Sequence, residues 1–289
     1  MDLLYRRQGM NSIAISIDPV IVHVGTFELR WYGLMIMAAV LVGIWVASIE
    51  AKRRGISIDD VYSIGLWGVV GGILGARLFH VLDKWEYYLS NPLQILAFQQ
   101  GGLAIWGGVA GGVLGGVLYA RHKKLSVASV ADMGSLGLIA GQIVGRFGCI
   151  INGDATGAPT TLPWGFRYVH PNAMVPQALV DYAREQGLGV AQIPTQPYPL
   201  YEMLWNLAVL GILWQLRTRM RVDGMVFFAY VALYSLGRFV LSYMRLEDQY
   251  ILGLQQAQII ALGMAAIGAI AFMYLRSRTS TPIERHTAA

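Results

Sequence analysis

Residues Trp31–Arg54 read WYGLMIMAAVLVGIWVASIEAKRR, and that stretch decides the fold. Residues 31–49 carry no charged side chain, a run close to the ~20 apolar residues that take an α-helix across hydrocarbon. Lys52, Arg53 and Arg54 follow at once, as basic residues do where a spanning helix re-emerges on the cytoplasmic side. Working outward, the same apolar length recurs at 61–82, 102–119, 127–145, 199–216, 224–244 and 254–275. The sequence therefore predicts an all-α integral membrane protein of about seven transmembrane helices.

Composition agrees. Of the 289 residues 55% are hydrophobic and 13% charged, about half the charged share of a soluble domain, roughly 25%. One membrane domain over residues 1–289 is simpler than two soluble ones. The net charge is +5 and the pI is near 9.3, but the basic residues sit in short clusters between apolar runs. No basic stripe interleaved with exposed aromatics is present, which argues against nucleic acid as a partner. A single cysteine, Cys149, excludes an internal disulfide and a cysteine-rich metal site. The first 28 residues lack a continuous apolar core, so no cleaved signal peptide is expected and the first spanning helix directs insertion.

Orientation follows from the clusters. Besides Lys52, Arg53 and Arg54, alternate helix ends carry Arg121, Lys123 and Lys124, then Arg217, Arg219 and Arg221, then Arg276, Arg278 and Arg285. Together these are more than half of the 22 lysines and arginines. Placed in the cytoplasm, they put the N-terminus outside and the C-terminus inside. Trp31, Trp85, Tyr87, Tyr88 and Trp164 then fall near the outer boundary, as an interfacial belt does. The longest connection, 146–198, lies on the outer side and contains six prolines. It is expected to form a small extracytoplasmic head inserted between the fourth and fifth helices.

Glycines at spacings of four, such as Gly71 and Gly75, Gly107, Gly111 and Gly115, and Gly137 and Gly141, put small residues on one helix face. Close helix packing is the plain reading, and room for acyl chains is the other.

Arginine is expensive in hydrocarbon, so Arg77 and Arg238 are functional candidates. Both fall about 7–9 Å below the outer boundary at 1.5 Å per residue; Arg146 and Arg245 fall at that boundary. Guanidinium binds phosphate through bidentate hydrogen bonds, and a lipid headgroup phosphate sits at this depth. Each arginine taken alone is equally well explained by snorkelling with structural pairing; the set of four favours a headgroup. The densest polar stretch, Gly145-Arg146-Phe147-Gly148-Cys149-Ile150-Ile151-Asn152-Gly153-Asp154-Ala155-Thr156-Gly157, adds an amide and a carboxylate where the fourth helix leaves the membrane. Its glycines suit tight turns and close backbone approach to a ligand. The bland alternative is a glycine-rich turn with a solvated charge pair.

This stretch resembles the prolipoprotein diacylglyceryl transferase family, whose pattern Gly-Arg-x-Gly-Asn-Phe-x-Asn-x-Glu-x-x-Gly is met by Gly145, Arg146, Gly148, Asn152 and Gly157. The resemblance extends through Trp31-Tyr32-Gly33-Leu34-Met35, Gly75-Ala76-Arg77 and Gly101-Gly102-Leu103-Ala104-Ile105-Trp106-Gly107-Gly108. It continues through Pro197-Tyr198-Pro199-Leu200-Tyr201-Glu202, where the family has Pro-Ser-Gln-Leu-Tyr-Glu, and Tyr234-Ser235-Leu236-Gly237-Arg238 with Arg245. Cys149 stands where the pattern has Asn, and Asp154 where it has Glu. Trp106 stands where many members have a histidine proposed as base, and Ser242 where many have a glutamate. Cys149 reads as a small buried residue, not a nucleophile.

The resemblance implies an enzyme of the bacterial inner membrane. It would move the diacylglyceryl group of phosphatidylglycerol to the lipobox cysteine of a prolipoprotein signal peptide, forming a thioether and releasing glycerol 1-phosphate. It implies Arg146 and Arg238 as catalytic residues on the leaving phosphate, supported by Arg77 and Arg245. It implies Tyr32 and Asn152 on the glycerol hydroxyls, Glu202 and Asp154 as orienting carboxylates, and Gly102 and Gly157 against substrate. Its partners are those two substrates and membrane lipids; no cofactor and no metal are expected. The rival is a lipid or small-anion transporter with an outer-facing arginine site, although transporters place binding groups near the midplane. A non-catalytic scaffold would account for the glycines but not for the arginines.

Overall fold

A computed structural model describes residues 12–25, 27–97, 101–220, 222–247, 249–251 and 253–279. Arg221, Arg285 and the first eleven residues of the stretch read as lacking a cleaved signal lie outside the described residues. The protein is mostly helical. Its helices are α1 (Trp31–Arg54), α2 (Ile58–Asp83), α3 (Trp85–Ser90), α4 (Ile105–His122), α5 (Val127–Asn152), α6 (Gln177–Glu185), α7 (Tyr198–Leu216), α8 (Met225–Ser242) and α9 (Gln256–Thr279). Short strands accompany them: β1 (Ile13–Ile15), β2 (Val20–Val24), β3 (Phe27–Arg30), β4 (Phe166–Tyr168), β5 (Gln249–Ile251) and β6 (Leu254–Gln255).

Five helices, α1, α2, α5, α8 and α9, are long and apolar enough to cross a membrane. At 18 and 19 residues, α4 and α7 are helical where spans are expected, but they are not among these five. Glycines and a terminal Arg121-His122 dilute α4, and Glu202, Asn206 and Gln215 dilute α7. The described chain divides into two compact units, Met1–Gly43 with Ser135–Ala289, and Ile44–Gly134.

In the second unit the glycine stripes pack helix on helix. A Cβ on Gly75 would come within 2.9 Å of the Gly111 Cα, and one on Gly72 within 3.3 Å of the Gly108 oxygen. These contacts are shorter than an alanine tolerates, so α2 and α4 touch backbone to backbone, the packing that four-residue spacing of small residues permits. At the other end of this unit Glu50 and Asp132 are fully buried. Arg54 bridges them at 2.7 and 2.9 Å and also donates to the Ser129 hydroxyl at 3.1 Å. A basic residue read as a topology signal thus also neutralises two carboxylates that would be costly to bury unpaired.

The helix ends follow local rules. Gly55 takes φ +70° after α1 while the Ile56 amide donates to the Ala51 carbonyl at 3.0 Å, a Schellman stop. The Ser57 hydroxyl then accepts the Asp60 amide at 3.1 Å and caps α2.

In the first unit α1 meets α5 through Gly43, whose Cβ would lie 3.0 Å from the Gly137 oxygen. Here the structure corrects the expected end of the fourth helix at residue 145: α5 runs on to Asn152. Gly145 and Gly148 are helical residues, not turns, and Gly148 gives α1 room, its Cβ position being 3.1 Å from the Met35 Cβ. The chain turns only at Gly153, with φ +84°. The connection onward to α7 is folded. It contains β4, which pairs in parallel with β1 (Ile13↔Phe166 to Ile15↔Tyr168), and α6, whose Leu179 and Ala183 form a small core with Ile193.

Candidate active site

Extension of α5 to Asn152 carries Arg146, Cys149 and Asn152 on successive turns of one helix. Their neighbours come from α7 and α8. Glu202, one turn into α7 and only 3% exposed, lies between two guanidinium groups. Its Oε2 is 2.6 Å from Arg146 Nη2 and its Oε1 accepts from Arg238 Nη1 at 3.0 Å. Arg238 Nη1 also donates to the Tyr198 hydroxyl. The Arg245 guanidinium carbon lies 5.0 Å from the Tyr198 ring centroid and that of Arg238 lies 5.8 Å away, a cation–π geometry. Arg245 pairs with Glu247 at 2.8 Å. Arg146, Arg238, Glu202 and Arg245, separated by up to about a hundred residues in sequence, are therefore one cluster around Tyr198.

Among the described residues, the hydrogen bonds and the ion pair of the Arg238 guanidinium fall on Nη1. Its Nε–Nη2 edge, the planar fork that matches two phosphate oxygens, stays open to a ligand. Ser242, which stands where many family members have glutamate, donates to the Arg238 backbone oxygen at 2.7 Å and does not reach the guanidinium. Tyr198 stands where the family motif has serine, and that exchange is its signal in the sequence.

Beyond Arg146 the α5 terminus turns polar. Arg146 Nη1 lies 3.7 Å from the buried Cys149 sulfur. The Asn152 amide donates to Asp154 Oδ1 at 3.1 Å. Asp154 thus orients an amide. Gly157 is held where its amide donates to the Gln196 oxygen at 3.1 Å, and a Cβ there would meet the Met244 oxygen at 2.8 Å. Tyr32, at the start of α1, packs against Gly148, whose Cβ position is 3.4 Å from the Tyr32 Cα.

Arg77 and Gly102 belong to the other unit and form a site of their own. Arg77 is 5% exposed and its donors go to backbone carbonyls: Ile95 at 2.9 Å, Gly101 at 2.7 Å, Gly102 at 3.0 Å, and Gln94. It ties down the segment before α4. Gly102 has φ +74°, and a Cβ on it would sit 2.7 Å from Arg77 Nη1 and 2.8 Å from the His80 ring, so glycine is required twice over. Trp106 is 56% exposed in the first turn of α4 and offers a donor but no basicity.

The family model described as prolipoprotein diacylglyceryl transferase matches residues 19–274. The chain belongs to the prolipoprotein diacylglyceryl transferase family. Among relatives, the phosphatidylglycerol–prolipoprotein diacylglyceryl transferase of Bacillus cytotoxicus is 36% identical over 271 residues, covering 94% of this chain and 96% of the relative. That of Nostoc sp. is 36% identical over 272 residues, covering 91% and 92%. That of Clostridioides difficile is 35% identical over 256 residues, covering 89% and 94%. As a prolipoprotein diacylglyceryl transferase family member the chain is a bacterial membrane enzyme, a transferase of lipoprotein biosynthesis, and nothing favours the transporter reading.

Proposed function

We infer that the protein transfers the diacylglyceryl group of phosphatidylglycerol to the lipobox cysteine thiol in the signal peptide of a prolipoprotein. The reaction forms a carbon–sulfur bond at the glyceryl carbon, breaks that carbon's bond to the phosphate ester and releases glycerol 1-phosphate. The observation that carries this reading is the single carboxylate, Glu202, holding Arg146 and Arg238 side by side. Two fixed cations aimed at one place suit the charge that grows on a departing phosphate, and being preorganised they need no rearrangement as it leaves. The open edge of Arg238 takes the phosphate bidentately, Arg146 takes a second face, and Arg245 adds to the field through its place beside Tyr198. Asn152 and Tyr32 orient the glycerol hydroxyls. Arg77, Gly102 and Gly157 are assigned to substrate on motif resemblance, with Arg77 acting by fixing the backbone of Gly102.

In the membrane the protein is one domain of seven spans, α4 and α7 included, with the N-terminus outside, the C-terminus in the cytoplasm, and the α5–α7 connection as an extracytoplasmic head. Basic residues at alternate helix ends support this orientation. The test is direct. Purified protein in vesicles with phosphatidylglycerol labelled in its acyl chains should label a lipobox peptide through a thioether. Label that stays in lipid, with no glycerol 1-phosphate released, contradicts the assignment.

A further inference from the structure

Among the described residues, two of the buried polar atoms without a hydrogen-bond partner lie at the end of α5. They are the Asn152 Oδ1, whose amide nitrogen is already committed to Asp154, and the hydroxyl of Tyr168. Asn152 is 7% and Tyr168 4% exposed. Burying such groups unsatisfied is costly, so two of them at one helix end point to a ligand that completes them.

Tyr168 follows Asn152 by 16 residues. It sits on β4, pinned by pairing with Ile15 of β1. Its ring lies against Gly153, where a Cβ would be only 3.1 Å from Cδ1. Burial, the Asp154 carboxylate and the Cys149 thiol all push the Tyr168 phenol upward from its ordinary value. It therefore remains protonated at physiological pH and able to donate.

The chemistry differs from that around Glu202. An amide oxygen and a carboxylate oxygen accept, and one phenol donates or accepts. A phosphate is repelled by the acceptors; a hydroxyl, which both donates and accepts, satisfies all of them. Asn152 follows Arg146 on the same helix, about 9 Å away along its axis, within the combined span of an arginine side chain and a phosphoglycerol group.

We propose that the Tyr168 hydroxyl joins Asn152 in taking the headgroup glycerol of the phospholipid donor beside the arginine pair, which makes Tyr168 a selectivity residue. This rests on the transferase reading above. With the phosphate on Arg146 and Arg238, the headgroup hydroxyls fall to the acceptor-rich end of α5, and the subsite discriminates among anionic lipids of equal charge by their hydroxyls.

The experiment compares two donors in vesicles of otherwise identical composition: phosphatidylglycerol, and phosphatidylpropanol, which has the same charge and length without headgroup hydroxyls. Thioether formation on a lipobox peptide is measured for wild type and Tyr168→Phe. The readout is the ratio of kcat/KM for the two lipids within each preparation, which does not depend on how much protein is folded. Wild type should favour phosphatidylglycerol, and Tyr168→Phe should shrink that preference roughly three- to tenfold, the range of one neutral hydrogen bond, by losing rate with phosphatidylglycerol alone. An unchanged ratio overturns the proposal, whether because both rates fall together, as for a merely structural ring, or because neither moves. A wild type with equal rates on the two lipids overturns the subsite and leaves the transferase reading standing. A wild type that makes no thioether from either lipid fails the transferase reading itself.

Discussion

Glu202 accepts from Arg238 at 3.0 Å through one oxygen while its other oxygen stands 2.6 Å from Arg146. One buried carboxylate thus sets the spacing of two cations that would otherwise repel. Their shared anion offsets the cost of holding both away from water, and it aims their remaining donors at a common ligand.

Glu202→Gln keeps the shape and removes the charge. Turnover should fall roughly 10–100-fold, the worth of a charge-assisted hydrogen bond or two, because the guanidinium groups lose their spacing. The measurement is steady-state transfer to a lipobox peptide alongside a thermal unfolding scan in detergent. Wild-type turnover would show that the bridge does not organise the arginines.

Gly101 and Gly102 separate backbone strain from contact. Both have positive φ, but among the described residues only Gly102 has atoms in the way of a Cβ. An alanine at either pays about 1–2 kcal/mol for the left-handed conformation. Gly102→Ala should add displacement of Arg77 and His80, and so lower the melting temperature and the activity further than Gly101→Ala. Equal effects would mean that Arg77 does not fix this segment as the contacts indicate.

The arginine cluster was largely legible in sequence because each member sits in a short motif and because charge in hydrocarbon draws notice. Arg77 was less so. It donates to backbone carbonyls such as those of Ile95 and Gly101, and a backbone carbonyl leaves no side-chain signal. The run of α5 through Gly145 and Gly148 was hidden because glycine read as turn, whereas α1 packs against exactly that missing side chain. The pairing of β1 with β4 joins residues more than a hundred positions apart, and three-residue strands have no periodicity to read. Tyr168, one tyrosine among 15, becomes visible only when that pairing brings it to the end of α5.

The orientation has its own test. Single cysteines introduced beside Lys123, and at Arg184, whose side chain is 77% exposed, should differ in intact cells. A membrane-impermeant thiol reagent should label the second and spare the first, with little background from the buried Cys149. The reverse pattern would place α6 and its neighbours in the cytoplasm and contradict the topology.

The central claim is that Arg238 grips the lipid phosphate with its open fork, and Arg238→Lys tests it most directly. Lysine keeps the positive charge, and with it the attraction to Glu202, but has no planar edge for two oxygens. Transfer from labelled phosphatidylglycerol to a lipobox peptide should fall at least about tenfold, taking the edge as worth one charge-assisted hydrogen bond, with insertion and melting temperature nearly unchanged. Arg238→Gln should be worse still. Stable variants that both transfer diacylglyceryl at the wild-type rate would show that Arg238 is structural and that the phosphate is held elsewhere.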